Sequence, residues 1–383
     1  MKIVFLSNFL NHHQLPLCHA FSAIENCSFH FIATEPVPED RIALGYVDMN
    51  SAYDFVVRTY EDKAQDRLAL ELSQTADVVI IGSAPDRYTK KRLKEKKLTF
   101  RYSERIYKRK PPFYEMPLRI VKNYFRFGRY TSLYLLCASA YTASDFAKTF
   151  TFLNKTYKWG YFPEIKRHDG MERLMEAKEP ATILWAGRFI DWKHPEYVIE
   201  VARRLKEDGY DFQISMIGNG ELQEFVGELI KTYALEDRVH LLGAMSPEAV
   251  RIYMERAQIF LFTSDRNEGW GAVLNEAMNS ACVVIAGDAI GSVPFLLKSK
   301  ENGLTFQDGN VDDLYEKVKF LLKNPAVCKD LGMKAYETMT GLWNAEVAAQ
   351  RLIKLTEVML RGEKYPNLYS DGPCSKAEIL KDK

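Results

Sequence analysis

Thr182-Ile-Leu-Trp-Ala-Gly187, Pro195-Glu-Tyr-Val-Ile-Glu-Val-Ala-Arg-Arg-Leu-Lys-Glu207 and Gln213-Ile-Ser-Met-Ile-Gly218 follow one another in the middle of a 383-residue chain. The first and third are short apolar runs closed by glycine, the pattern of strands covered on both faces. The second opens on proline and carries a helical pattern. Strand, helix and strand in this order make a βαβ unit, and such units build parallel sheets. The alternation continues outward. Val239–Gly243, Ile259–Thr263 and Cys282–Ala286 read as further buried strands, with helices over Glu221–Tyr233 and Ser246–Arg256. Ser246-Pro247-Glu248 is a strong helix start, with an N-cap serine, proline in the first position and an acid in the first turn. Toward the N-terminus, Ile3–Ser7, His30–Thr34 and Val78–Gly82 repeat the strand pattern. The expected fold class is α/β, doubly wound.

The pattern restarts near residue 180, after a polar stretch (165–180) containing Gly170 and Pro180, where an inter-domain linker is expected. This divides the chain into a first Rossmann-like domain over 1–170, which carries a basic, aromatic segment over 86–130, and a second over 181–342. A helix over 343–361 has apolar positions 347, 348, 352, 355 and 359 on one face, so it packs against a neighbour. The tail over 363–383, with Pro366, Gly372 and Pro373, is expected to be loosely ordered. Hydrophobic residues at 47% and charged residues at 27% exclude wholesale disorder. The six cysteines are scattered with no metal-ligand spacing, so reduced thiols and no structural zinc are expected. The N-terminal apolar run is too short for a signal-peptide core, and the longest apolar stretch, 133–143, is about half a bilayer span. The expected location is cytoplasmic, with peripheral association on the inner face of the membrane.

Three stretches carry chemistry. Ser264-Asp-Arg-Asn-Glu-Gly-Trp-Gly-Ala-Val-Leu-Asn-Glu-Ala-Met278 follows a strand, passes through Gly269 and Gly271, and opens a helix. Small residues there let backbone N–H groups approach an anion, and a helix N-terminus adds partial positive charge. Glu268 in the loop can bind sugar hydroxyls, and Glu276 within the helix can hold a ribose diol, although two glutamates at this spacing also arise by chance. In Trp185-Ala-Gly-Arg-Phe-Ile-Asp-Trp-Lys-His-Pro195, Arg188 offers a planar fork and Lys193 a point charge, a combination suited to a diphosphate. On residue type alone the two are equally a pair of solvated loop cations. Met216-Ile-Gly-Asn-Gly-Glu-Leu222 is a strand-to-helix turn whose glycines permit close backbone approach.

In this order the three stretches resemble the retaining glycosyltransferases of family 4, which have the GT-B fold of two facing Rossmann-like domains and a C-terminal crossover helix. The resemblance covers 181–361 and includes Val239-His-Leu-Leu-Gly243, Gln258-Ile-Phe-Leu-Phe-Thr-Ser264, Cys282-Val-Val-Ile-Ala-Gly287, Asn302-Gly-Leu304 and Trp343-Asn-Ala-Glu-Val-Ala348. It implies that Glu276 binds the ribose of a nucleotide diphospho-sugar and that Arg188 and Lys193 neutralise its diphosphate. Glu268 and the amides of Gly269, Trp270 and Gly271 would cradle the sugar, and Gly243 to Met245 would lie near the base. Gly187, Gly218, Val273 and Leu274 complete the expected donor-binding set. Two places depart from the family pattern. Ser7-Asn-Phe-Leu-Asn-His-His-Gln-Leu-Pro16 stands where a glycine pair is usual, and Gly291-Ser-Val-Pro-Phe295 where Gly-Gly and Pro-Glu are usual. In the first domain, His12, His13 and Glu104 are acceptor or cleft candidates, with capping or surface roles as the alternative for the histidines.

The formal charge of +1 hides an asymmetry. Residues 86–129 hold 16 Lys and Arg against four Asp and Glu, a net +12 that leaves −11 elsewhere. Interleaved with Tyr88, Phe100, Tyr102, Tyr107, Phe113, Tyr114, Tyr124, Phe125 and Phe127, these cations suit an anionic membrane surface. The same composition would suit single-stranded nucleic acid, or a solvated helix over Thr89–Lys97 beside ordinary core aromatics. The membrane is the partner expected, and nucleic acid is not.

The function expected is therefore retaining transfer of a hexosyl unit from a nucleotide diphospho-sugar to a hydroxyl of a glycan or lipid-linked acceptor in polysaccharide biosynthesis. No cofactor and no metal are expected, because cationic side chains would serve the departing diphosphate and no DxD-like site is present. A nucleotide-sugar epimerase or phosphorylase-like enzyme on the same fold, or a non-catalytic membrane- or nucleic-acid-binding protein, are the alternatives.

Overall fold

A computed structural model of the chain describes residues 1–39, 42, 47–109 and 111–381. Two parallel sheets organise it. The first has seven strands in the order β3-β2-β1-β4-β5-β6-β7. They are β1 Lys2–Ser7, β2 Ser28–Ala33, β3 Val56–Arg58, β4 Val78–Ile81, β5 Thr99–Ser103, β6 Leu133–Cys137 and β7 Thr156–Lys158. The second sheet has six strands in the order β10-β9-β8-β11-β12-β13. They are β8 Glu179–Ala186, β9 Gln213–Ile217, β10 Val239–Gly243, β11 Ala257–Phe262, β12 Val283–Gly287 and β13 Leu304–Phe306. Helices cover both faces, so central strands such as Val78–Ile81, Leu133–Cys137 and Val283–Gly287 are buried along their whole length.

The chain divides into two compact units, Met1–Glu164 with Asn344–Asp382, and Ile165–Trp343. In each, the strand order reverses beside the first strand: between β1 and β4 in one, between β8 and β11 in the other. At such a switch point the connections leave in opposite directions, and the carboxyl ends of the two strands open a crevice where ligands bind. The loops that follow β1, β4, β8 and β11 are therefore the ones the fold presents for chemistry.

Three elements differ from the reading of the sequence. The polar stretch expected as a linker belongs to the second unit, with a helix over Met171–Glu176 and β8 beginning at Glu179. Lys178 is buried there because its ammonium caps the carbonyls of Met254, Ala257 and Ser280 at 2.6–2.8 Å. Burial pushes its pKa down, opposed weakly by the Cys282 thiol. The tail, expected to be loose, packs on the first unit instead. Lys158 N–H donates to Ser375 O, Cys374 N–H to Lys158 O, and Ala377 N–H to Thr156 O, so the tail covers the edge left open by β7. The strands β3, β5, β6, β7 and β13 were not read from the sequence. β3, β7 and β13 are three residues long, too short to show a period.

The helix Ala345–Leu360 belongs to the first unit, where it packs on the helix Leu15–Ser22 and buries Ala348, Ala349, Leu352, Leu355 and Met359. Its N-cap is Asn344, whose Oδ1 accepts from Val347 N–H at 2.9 Å. Among the described residues no helix is long and apolar enough to cross a membrane.

Candidate active site

The C-terminal unit's loops are tied to one another before any side chain contributes. Gly187 N–H donates to Ile217 O, Phe189 N–H to Asn219 O, and Gly218 N–H to Gly243 O, at 2.8–3.0 Å. This lashes the loops after β8, β9 and β10 together. Gly218 makes it possible: at φ 134° it takes a backbone conformation that L side chains rarely adopt, and a Cβ there would sit 1.8 Å from Gly187 O. The close approach for which the Gly218-Asn-Gly220 turn is built is thus to the neighbouring loop.

Across the switch point, Asp265 N–H donates to Trp192 O at 3.0 Å, joining the β8 loop to the β11 loop. Trp185 Nε1–H donates to Thr263 Oγ1 at 2.9 Å, and that hydroxyl donates to Lys193 O at 2.6 Å. Lys193 Nζ lies 2.6 Å from Glu268 Oε2, with both side chains mostly buried, and Ser264 Oγ donates to the same carboxylate oxygen at 3.1 Å. The ammonium also sits 4.8 Å from the centre of the Trp192 ring, while the Arg188 guanidinium is 5.9 Å from it. Arg188 is exposed and makes no ion pair among the described residues. The two loops thus present one exposed guanidinium, one ammonium held by a carboxylate, and an indole shared by both cations.

Glu276 lies in the first turn of the helix Val273–Asn279. It is half-buried, and no hydrogen bond to its carboxylate occurs among the described residues. Burial raises its pKa, and the Arg251 guanidinium acts in the opposite direction. Arg251 itself donates to Glu276 O at 3.2 Å and to the Asn279 side chain. Gly271, at φ 79°, turns the chain into this helix, and a Cβ there would sit 2.3 Å from the Phe262 ring. Gly269 and Trp270 are buried; the Trp270 indole donates to Asn275 Oδ1 at 2.9 Å and packs near Trp343 and Phe295. Leu274 is fully buried, so its side chain serves packing, whereas Val273 is partly exposed. Gly243, at φ 72°, ends β10 and the partly exposed Met245 follows it, two strands away from β8.

The N-terminal unit gathers a different set. His12 and His13 follow β1, their ring centres 3.7 Å apart, and His13 stacks on Tyr161 at 5.7 Å. The Tyr161 hydroxyl donates to Glu104 Oε1, and Tyr102 lies 6.3 Å from the Tyr161 ring. Burial holds the Tyr102 phenol well above its usual pKa. The three candidates from this half are thus joined through Tyr161, a residue without any motif of its own. Trp192 and Ser264 also join the site, and both lie within the stretches quoted above. Only the bracketing of Trp192 by two cations could have pointed to it.

Residues 167–338 match the family model of glycosyl transferases group 1. A trehalose synthase of Pyrococcus horikoshii is 31% identical over 176 residues, 44% of this chain and 41% of that protein. The amylovoran biosynthesis glycosyltransferase AmsK of Erwinia amylovora is 27% identical over 184 residues, 47% of this chain and 45% of the relative. The chain thus matches less than half the length of these curated relatives. Over the whole fold, the crystal structure of Anabaena Alr3699/HepE in complex with UDP has a TM-score of 0.67 at 14% identity, covering 94% of this chain and 100% of that one. The architecture is GT-B, with two doubly wound Rossmann-like units.

Proposed function

We propose that the chain is a retaining glycosyltransferase that moves a hexosyl unit from a nucleotide diphospho-sugar to a hydroxyl of a glycan or lipid-linked acceptor. The observation that carries this reading is the arrangement at the β8/β11 switch point, within the segment that matches the group 1 model: Arg188 without an ion pair among the described residues, and Lys193 held 2.6 Å from Glu268. Breaking the bond between the anomeric carbon and the diphosphate oxygen develops negative charge on the leaving group. Fixed cations and loop amides stabilise that charge more than they stabilise the ground state. The Lys193–Glu268 pair keeps the ammonium in place without a ligand, so little reorganisation is needed when the diphosphate arrives.

In this reading Arg188 and Lys193 hold the diphosphate, and the amides of Gly269, Trp270 and Gly271 with Glu268 hold the sugar. The Glu276 carboxylate accepts from the ribose hydroxyls. The acceptor oxygen bonds to the anomeric carbon on the face from which the diphosphate departs, and the acceptor proton leaves with the diphosphate. No step requires a metal or cofactor. His12, His13, Tyr161 and Glu104 form the acceptor side.

Because one relative of the same fold was solved with UDP, a UDP-sugar is the first donor to test. Nucleotide release is measured from UDP-, GDP- and ADP-sugars, with and without membrane extract, and the anomeric configuration of the product is read by NMR. Acceptor-dependent release of one nucleoside diphosphate with retained configuration is expected. Sugar interconversion without nucleotide release would instead establish an epimerase, and an inverted product would overturn the retaining assignment.

A further inference from the structure

The basic, aromatic segment divides in three dimensions in a way its composition does not show. Phe100, Tyr88, Tyr107 and Phe127 are ordinary core residues. Two of the 16 cations are internal as well. Arg92 is fully buried against the carbonyls of Ser73, Ala76 and Leu98, and Arg105 is buried beside Asp145. The exposed rings are concentrated on Phe113–Arg129, together with Arg119, Lys122, Arg126 and Arg129, whereas most of the other exposed cations lie on and just after the helix Arg87–Lys94. Within Phe113–Arg129 the helix Met116–Asn123 buries none of its residues. Phe113 is 86% exposed, Leu118 74%, Tyr114 70% and Phe125 57%, with Val121 and Tyr124 similar. Tyr114, Leu118, Val121 and Phe125 recur at helical spacing along one side, and Arg119, Lys122, Arg126 and Arg129 along the next. Among the described residues Lys108, Arg109 and Lys122 make no ion pair. Lys110 lies outside the described residues.

Phe125, Arg126 and Arg129 of this segment also line a cavity of about 220 Å³, with Lys90 and Arg101 as its other cations and Asp86 as its acid. Asp86 pairs with Arg126 at 2.7 Å and lies 3.8 Å from Arg101. The Arg101 Nη1 atom is buried without a hydrogen-bond partner. A buried guanidinium nitrogen that has an ion pair at 3.8 Å but no hydrogen bond, in a cavity whose cations outnumber its one carboxylate, is a site for an anion.

We infer that Phe113–Arg129 docks this chain on an anionic phospholipid bilayer, the exposed rings and aliphatic side chains entering the interface while one lipid phosphate occupies the Arg101 cavity. A solvent-facing apolar side with an adjoining cationic side is how a helix lies in a membrane surface, with apolar burial and attraction to anionic lipid adding. Charge selects this occupant, because a second copy of the chain would bring the same cations against themselves. The inference goes beyond the transfer reaction and stands without it.

Binding of the full chain to phosphatidylcholine vesicles with and without phosphatidylglycerol tests it. The wild type should bind the anionic vesicles at least roughly tenfold more tightly. Phe113→Ser/Leu118→Ser/Val121→Ser, three surface changes that leave the cavity intact, should weaken that binding roughly tenfold or more while leaving turnover of a soluble donor unchanged. Arg101→Gln/Arg129→Gln should remove the preference for phosphatidylglycerol. Wild-type binding by the triple variant, equal binding of both vesicle types by the wild type, displacement of the wild type by inorganic phosphate alone, or tighter binding to a single-stranded oligonucleotide would each overturn the assignment. Donor turnover measured in the same preparations separates failure of the docking surface from failure of the enzymatic reading.

Discussion

The two units share a doubly wound topology but use their switch points differently. In the C-terminal unit the crevice residues are charges, and they are held by a frame of backbone bonds from three glycine-containing loops plus the Thr263–Lys193 and Trp185–Thr263 links. In the N-terminal unit they are rings and one carboxylate, joined through Tyr161. A diphosphate is the same anion whatever sugar it carries, so a site for it can be rigid and specified by a few charged residues. Rings and hydroxyls make weaker, more adaptable contacts than fixed charges do.

The sharpest way to break this comparison is to remove its strongest charge. Lys193→Ala should lower nucleotide release by about 10²–10³-fold, the loss typical when one group stabilising a developing anion is deleted. Arg188→Ala should lose similar activity without loss of thermal stability, because Arg188 is exposed and makes no ion pair among the described residues. Wild-type turnover in both would remove the charge-based account. The rigidity of the frame is tested by Gly218→Ala, whose Cβ would meet Gly187 O at 1.8 Å. A destabilisation of about 3 kcal/mol is expected in denaturant unfolding, and a loss within experimental error would show that the loops can separate.

Glu276→Gln should weaken donor binding by roughly tenfold to a hundredfold, the range for a hydrogen bond to a charged acceptor. Its effect on stability should have the opposite sign. Burial raises the folded-state pKa of this carboxyl, so its charged form costs stability at neutral pH, and the neutral amide should melt no lower than the wild type. In the N-terminal unit, Tyr161→Phe should cost about 1 kcal/mol of stability through its lost bond to Glu104. It should change acceptor KM while leaving donor affinity untouched; an equal fall in donor affinity would erase the division of labour.

The smallest expected effect is a pH slope at His194. Burial disfavours its charge, but Glu196 Oε1 at 2.8 Å, with Asp265 and Asp191, lifts its pKa above the ordinary histidine value. A raised folded-state pKa adds stability that is complete below about pH 6.5 and lost as pH rises through the raised value. His194→Gln should remove that slope from melting curves recorded between about pH 5.5 and 8.

The sequence by itself determined the class of fold. Runs such as Val283–Gly287 must be covered on both faces, and helices between such runs leave a parallel sheet as the solution. It also marked Arg188, Lys193, Glu268 and Glu276, because they lie in short local patterns of strand, glycine and helix. Tertiary structure alone decided what joins across the chain. Glu104 and Tyr161 meet from strands far apart in sequence, and Lys178 caps carbonyls from three separate elements. The tail, polar and rich in Gly and Pro, reads as loose, yet it is held by backbone bonds to an open sheet edge that no local pattern can reveal. In the basic segment, composition cannot separate Phe100 in the core from Phe113 in solvent. Burial depends on which face of which element meets a neighbour, and that is a property of the assembled chain.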